Sequence, residues 1–489
     1  MRKLGNLIVN EYVKNLMKIS TIIMLAAVVL TAVGYNGIRY IQEQDRQKWS
    51  TSNIYYQSYD EEISWAKSTK HEGWKLRVET LTFLKENNII QDYRHDDYWM
   101  HSAVHDVFEQ KAMAKELLNE GKTALAENAQ KHADELGEAI KNKDWKAYNK
   151  INAGILEYSL KNYDKLNLSE KGGIWDSKEH LEIGLWGAKY QLENEIAPFQ
   201  GNWKHVLLSN VRSDKHELLR LKSVSSAEQD QSAIADTEDA LLIGEYRLEN
   251  NIKVNTSKSD GVMNDSHYEN GLSFWDVFTS SALGINVISV LIIIIAGSVI
   301  SSEFASGTIK YLLVNPVKRY KIFLAKYISV LSFAALMLII YYAFNMVLSG
   351  IMFGFGDFTA PYLYVSGGEV AEGSSFLFVA SKYLVSSIGM ICMATLAFAV
   401  SSVARNSALS IGLGVGLYLS GYGAVALMSD MGLDFGRYII FSNLELNAII
   451  EGISLYKGQT LPFALAVIGA YMLVFLLTAW DGFIRRDVK

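Results

Sequence analysis

A single cysteine, Cys392, occurs in the 489-residue chain, inside an apolar run. No disulfide can form within one chain, so the large polar portion must be held by packing alone. Proline is scarce, with four copies. Basic charge is not in excess. The formal net charge of −6 argues against a nucleic-acid binder, whose footprint is a basic patch. Charge of either sign is missing from long windows. Half of the chain is hydrophobic, yet mean hydropathy is only +0.09, because that average joins two populations. From Ile41 to Trp275 the sequence is highly charged and holds all nine histidines. Outside that block charges nearly vanish. The length allows two or three domains, and the split makes one soluble and one membrane-embedded.

Catalytic and nucleotide-binding motifs are also missing. Gly121-Lys122-Thr123 has the ending of a phosphate loop, but Glu116 stands where the loop's first glycine belongs, inside a helical pattern. No nucleophile elbow occurs. His101 and His105, four apart in RHDDYWMHSAVHD (94–106), would share a helix face, as a metal pair must. Zinc hydrolases of that type want a glutamate after the first histidine, and Ser102 is there. KHEGW (70–74) and KHELL (215–219) lack a second histidine four residues on. The expectation is a chain with no catalytic residues, no bound metal and no cofactor of its own.

A bilayer-crossing helix needs about 20 mostly apolar residues. Six windows qualify or nearly do: about 19–37, 282–301, 327–352, 376–402, 407–428 and 461–480. Lysines and arginines near the spans set orientation. The N-terminal segment has Arg2, Lys3, Lys14 and Lys18; the loop 302–326 has Lys310, Lys318, Arg319, Lys321 and Lys326; the tail has Arg485, Arg486 and Lys489. The loop 353–375 has no basic residue. Six crossings then place both termini and the 302–326 loop in the cytoplasm and the 38–281 block outside. In the first eighteen residues Leu4, Leu7, Ile8, Tyr12 and Leu16 share one face, with Lys3, Glu11, Lys14 and Lys18 largely elsewhere. That pattern predicts an interfacial amphipathic helix leading into an uncleaved anchor.

The charged block reads as mostly helical. Residues 109–140 are rich in alanine, leucine, glutamate and lysine with no proline. Residues 176–198 open on a capping aspartate and close at Pro198. Residues 237–252 resemble 176–198: both carry Ile-Gly, a tyrosine, Leu-Glu-Asn and an isoleucine, either a weak internal repeat or one helix type used twice. The polar stretch 255–271 reads as the linker back to the membrane.

Between the second and third spans lies SSEFASGTIKYLLVNPVKRYKIFLAKY (301–327). Glu303 sits at the membrane boundary, and a carboxylate there should have a partner. Gly307 can break the helix. TIKYLLV gives a short amphipathic turn with Ile309, Leu312 and Leu313 apolar, and Asn315-Pro316 stops it. In the fifth span Gly412 and Gly416, four apart, suit close helix packing, within the subunit or at a subunit interface or pathway. The segment 430–460 holds an apolar patch and reads as a hairpin dipping into the outer leaflet. Lys382 can snorkel at the outer end of the fourth span.

The order Glu303, Gly307-Thr308, Leu312-Leu313, Pro316, Arg319 and Lys326 resembles the cytoplasmic loop of type-2 ATP-binding-cassette (ABC) exporter permeases. Asn10-Glu11 and Lys14, and the ending FIRRDV (483–488), resemble that family's two ends. The likeness covers roughly half the chain; a large insertion after the first span is where it departs from compact members. The resemblance implies a permease without its own ATPase, paired with a second permease subunit, the same or a different chain. Each subunit would dock a soluble ATPase carrying ATP and magnesium through Thr308, Ile309, Lys310, Tyr311, Leu312 and Leu313, with Lys318 and Arg319 offering charge. Val365-Ser366-Gly367-Gly368-Glu369 mimics the ATPase signature but falls in an outside loop.

The expectation is therefore an all-α polytopic membrane protein: interfacial helix 1–18, first span 19–37, extracellular helical domain 38–281, five-helix membrane domain 282–480 and tail 481–489. It would export a hydrophobic or amphipathic substrate, a peptide being one such case, from a bacterial plasma membrane. The competing class is a membrane-anchored sensor or interaction protein whose outer domain binds a ligand without transport.

Overall fold

The computed structural model describes residues 2–52, 59–70, 74–89, 96–166, 177–199, 201–223, 230–253, 272–308, 318–356 and 358–485. Six helices are long and apolar enough to cross a membrane: Ile19–Asp45, Phe274–Ala305, Arg319–Phe353, Ser375–Ala404, Ser407–Asp430 and Leu461–Ile484. Each contains an expected window, and several run longer. The reason is capping. The second span starts eight residues early because Ser273 and Asp276 form a reciprocal capping box, the Asp276 carboxylate accepting the Ser273 N–H at 2.8 Å. Ser374 and Asn406 cap the fourth and fifth spans, and Pro462 occupies the first turn of the sixth.

The chain divides into two compact units. The first comprises 1–44, 272–362 and 373–489 and contains all six spans. Its core lies between the second and fourth spans, where Ile288, Ile292, Ile293 and Ala296 of one and Met393 and Ala397 of the other are essentially inaccessible to water. The fifth and sixth spans are the least covered, with 17% and 11% of their apolar windows buried; their outer faces are left for lipid or another subunit. The segment after the fifth span is not a simple hairpin. Two 3-10 turns, Asp434–Tyr438 and Ile440–Asn443, and the short helix Leu446–Ile450 form an irregular cap. Ile440, Leu446 and Ile449 pack there on Cys392, Ala464 and Ile468. Several of its buried polar groups are satisfied locally: Asn443, fully buried, donates to the carbonyls of Arg437 and Ile439, and Gln459 donates to the Asn443 side-chain oxygen at 2.7 Å, while the Gln459 side-chain oxygen is buried without a hydrogen-bond partner among the described residues.

The second unit comprises 45–271 and 363–372. Numbered on from α1 (Arg2–Leu16) and α2 (Ile19–Ser52), its helices α3 (Tyr59–Thr69), α4 (Trp74–Glu86), α5 (Trp99–Asn119), α6 (Thr123–Lys141), α7 (Trp145–Lys161), α8 (Lys178–Glu193), α9 (Trp203–Ser223) and α10 (Gln231–Asn250) pack mainly on their neighbours in the chain. The result is a helical array in which contacts also skip a neighbour: Ile155 of α7 joins the core of α4, α5 and α6, and the Tyr148 hydroxyl of α7 reaches Asp106 of α5. The resemblance seen between 176–198 and 237–252 is a helix stop, and it is used a third time. FLKENNI (83–89), YQLENEI (190–196) and YRLENNI (246–252) end α4, α8 and α10 alike. The asparagine side chain (Asn87, Asn194, Asn250) donates back to the carbonyl of the aromatic residue four earlier, at 2.8, 3.0 and 2.9 Å. The next residue (Asn88, Glu195, Asn251) adopts φ of 51°, 51° and 57°. The isoleucine N–H then returns to the carbonyl five residues back at 3.0 Å each time, a Schellman closure.

The loop after the third span holds the only strands among the described residues, Tyr362–Ser366 and Glu369–Gly373. Gly367 and Gly368 turn between them with φ of 65° and 86°, the backbone a two-residue hairpin loop needs. The signature-like Val365–Glu369 is thus a hairpin turn. Glu372 accepts a 3.0 Å hydrogen bond from the Tyr246 hydroxyl of α10.

Candidate functional site

The loop between the second and third spans is held at both of its ends by charge. At its start, Glu303 is buried at 5% exposure, as a carboxylate at a membrane boundary can be only with partners. It has three: Lys14 Nζ at 2.5 Å, Lys326 Nζ at 3.3 Å and the Thr308 hydroxyl. Lys326, in the second turn of the third span and fully buried, also donates to Glu11 Oε2 at 3.1 Å and the Val299 carbonyl at 3.5 Å. Two carboxylates and two ammonium groups therefore balance where the helix Arg2–Leu16, the end of the second span and the start of the third meet. Lys18, just outside, has its pKa lowered by burial and then by Lys14 and Lys326.

Glu11 corrects the expected amphipathic pattern. It does not lie on a water-facing side; it is buried, turned toward Lys326. Its neighbour Tyr12 stacks on Phe333 of the third span at 4.8 Å. The physical reason is Lys326: a buried ammonium group costs far more than a polar face gains, so the helix presents an acid to it.

Further contacts fix the same end of the bundle. The Ser301 N–H donates to Ser401 Oγ at 2.9 Å, and its hydroxyl meets Ser407 Oγ at 2.7 Å. The Arg405 guanidinium lies 4.4 Å over the Phe304 ring. Gly307 takes φ +70° and ends the short helix Ser301–Ala305, as its position in the sequence predicts. At the far end Lys318 is exposed and Arg319 donates to the Ile484 carbonyl at 3.3 Å. Ile309, Lys310, Tyr311, Leu312, Leu313 and Pro316 lie outside the described residues, as do the linker 255–271 and Arg486–Lys489.

Gly412 and Gly416 are not packed within the chain: a Cβ at either would meet nothing within 4 Å, and both are exposed. The glycines of that helix that do pack are Gly414, against Ile293 and Ala397, and Gly421, against Phe441. Lys382 does not simply snorkel; Glu451 pairs with it at 2.8 Å. Sequence reasoning missed a buried polar ladder joining the first and third spans. Asn36 donates to Asn345 Oδ1 at 2.8 Å and accepts from Ser349 at 2.8 Å, and none of the three is accessible to water. Its signal was available, since an asparagine inside a span is costly without a partner.

In the interposed unit His101 stacks on Tyr98, and His105 turns instead to Glu109 at 3.2 Å. Ligand atoms of His105, Asp106 and Glu109 lie within 4.8 Å of one another. The two outer residues are exposed and Asp106 is engaged by the Tyr148 hydroxyl.

These features define a polytopic helical membrane protein with a helical array inserted after its first span and a charge-clamped loop after its second. Residues 255–489, holding the last five spans and that loop, match the family described as "Protein of unknown function (DUF2705)". The uncharacterized protein YhcI of Bacillus subtilis (strain 168) is 31% identical over 327 residues, 66% of this chain and 96% of YhcI. The uncharacterized membrane protein YdbK of the same organism is 29% identical over 207 residues, 42% of this chain and 78% of YdbK. The chain belongs to the DUF2705 family and is homologous to YhcI. No solved structure matches it significantly.

Proposed function

We propose that this chain is the membrane subunit of an ABC exporter, with both termini and the 302–326 loop in the cytoplasm and the interposed helical array outside the cell. The observation that carries the reading is the four-charge clamp on Glu303 and Lys326. An ordinary connecting loop needs a few polar residues; this one leaves and rejoins the bundle through buried, balanced ion pairs that also grip the first helix. A force on residues 309–317 would reach three helices at once. Soluble ATPases docked there would bind and hydrolyse ATP with magnesium, and their closure would swing the spans to move a hydrophobic or amphipathic substrate outward. The open Gly412–Gly416 face of the fifth span gives a second permease subunit a place for close backbone approach.

The test is copurification. The tagged chain, extracted gently from its native membranes, should bring a soluble ATPase with it, and replacing Thr308–Leu313 by a neutral linker of equal length should lose that partner. A well-folded preparation that never carries an ATPase overturns the reading and favours a ligand-binding sensor.

A further inference from the structure

Most carboxylates of the membrane unit have partners. Glu11 and Glu303 share Lys326, Asp276 closes a capping box, Glu451 pairs with Lys382 at 2.8 Å and Asp481 with Arg485 at 3.3 Å. Asp430 and Asp434 are exposed where the fifth span ends. Glu445 differs from all of these. It is exposed, has no hydrogen bond or ion pair among the described residues, and does not cap the short helix Leu446–Ile450 that it precedes.

Its depth sets it apart. The carbonyl of Leu444, one residue before, lies 2.9 Å from where a Cβ on Gly389 would stand. Gly389 is fifteen residues before Ala404, about 22 Å along the fourth span from the end that holds the Ser301–Ser407 contact. Phe441 marks the same level, its ring filling the place of a Cβ on Gly421. Gly421 is fourteen residues after Ser407, about 21 Å along the fifth span from that same end. The hydrocarbon core is ~30 Å thick, so residues 441–445 stand within its outer half. An ionised carboxylate turned to lipid there is costly; such groups face a partner or a water-filled path. A second polar group on the bundle surface agrees. Exposed Asn286 of the second span accepts the Tyr418 hydroxyl at 2.7 Å, and Tyr418 is one turn before Gly421.

We propose, on the exporter reading above, that Glu445 receives a positively charged group of the transported molecule, which is therefore a cationic amphipath. An ionised carboxylate only accepts hydrogen bonds, and an ammonium or guanidinium group brings both the donors and the opposite charge. A neutral or acidic molecule would leave the carboxylate uncompensated away from water. A cation that reaches hydrocarbon depth carries apolar surface with it. The chain's own cations bordering this cap are engaged: Lys382 with Glu451, and Arg437 over the Tyr438 and Phe463 rings at 5.7 and 5.6 Å. That favours a cation from the substrate over one from a second copy.

Dicyclohexylcarbodiimide, which modifies carboxyl groups in apolar surroundings, tests this on the full-length protein in lipid nanodiscs, with Glu445 and Asp430 followed by peptide mass mapping. Dodecyltrimethylammonium at roughly four times its Kd should slow modification of Glu445 about fivefold and leave Asp430 unchanged. Dodecanol, with the same chain and no charge, should slow neither. Equal slowing of both carboxylates by the cation, or of Glu445 by the alcohol, overturns the site. A Glu445 that resists modification without any probe in nanodiscs holding two copies, and reacts once the copies are separated, belongs to a contact between subunits and also overturns it. The readout uses no ATPase, so protection can fail while copurification succeeds, which separates failure of this site from failure of the exporter reading.

Discussion

Lys326 shows how little of a buried charge's meaning lies in its neighbours along the chain. In sequence it is one more basic residue beside a span; in the structure it is inaccessible to water between Glu11 and Glu303, 315 and 23 residues away. Removing one partner of a buried ionic set leaves the other charges uncompensated, which costs about 3–5 kcal/mol. Lys326→Met should therefore destabilise the membrane unit by that order. The double variant Lys326→Met with Glu11→Leu should recover most of the loss, because Glu303 keeps Lys14 and Thr308. A double-mutant cycle on thermal melting in detergent reads the coupling; additive losses would show that the clamp is not one unit. Glu303 was legible because a carboxylate closing an isoleucine run demands a partner. Glu11 was not, since a helical face pattern cannot distinguish an acid facing water from one facing a buried lysine. The Asn36–Asn345–Ser349 ladder was hidden for the same reason: its members meet across about three hundred residues.

At the scale of elements, the six spans were legible because each is a long apolar run, while their ends were set by caps. The array was legible as helices, and the Leu-Glu-Asn similarity was visible; that it is a helix stop depends on backbone conformation. Asn250→Ala removes the side-chain bond to the Tyr246 carbonyl. Asparagine is also among the non-glycine residues that best tolerate the left-handed position at Asn251. Asn251→Gly should accordingly be neutral or mildly stabilising, and Asn251→Val should destabilise α10 by about 1–2 kcal/mol, both read by chemical denaturation. Glycine spacing in the fifth span left two readings open in the sequence, packing within the subunit or at an interface or pathway. A Cβ at Gly414 would lie 2.7 Å from Ile293 Cγ2 and 3.1 Å from Ala397 Cβ, whereas Gly412 and Gly416 meet nothing. Gly416→Cys should then form a disulfide-linked dimer in native membranes under mild oxidation. Monomer alone, in membranes where the protein is abundant, would remove the fifth span from the subunit interface.

The molecule as a whole carries its titratable buried groups unevenly, and this gives the helical array an acid response. Burial pushes His205 and His216 down to about 4, His216 also feeling His180 and Arg212. A histidine whose folded pKa lies below its unfolded value of about 6.5 contributes stability that is complete above 6.5 and is lost as pH falls toward 4. Asp214 acts the other way. Burial raises it to about 6, so its contribution is greatest below the unfolded carboxyl value and disappears as pH rises through 6. On α9, two histidines against one aspartate leave a net loss on acidification between about pH 6.5 and 4. Hydrogen exchange of α8 and α9 amides, corrected for the intrinsic pH dependence of exchange, should show faster opening at pH 5 than at pH 7. In the double variant His205→Gln, His216→Gln, Asp214 is the one carboxyl or imidazole of α9 left with a raised pKa, and opening of that helix should become slower at pH 5 than at pH 7. If acid accelerates opening equally with and without the two histidines, the response originates elsewhere in the array.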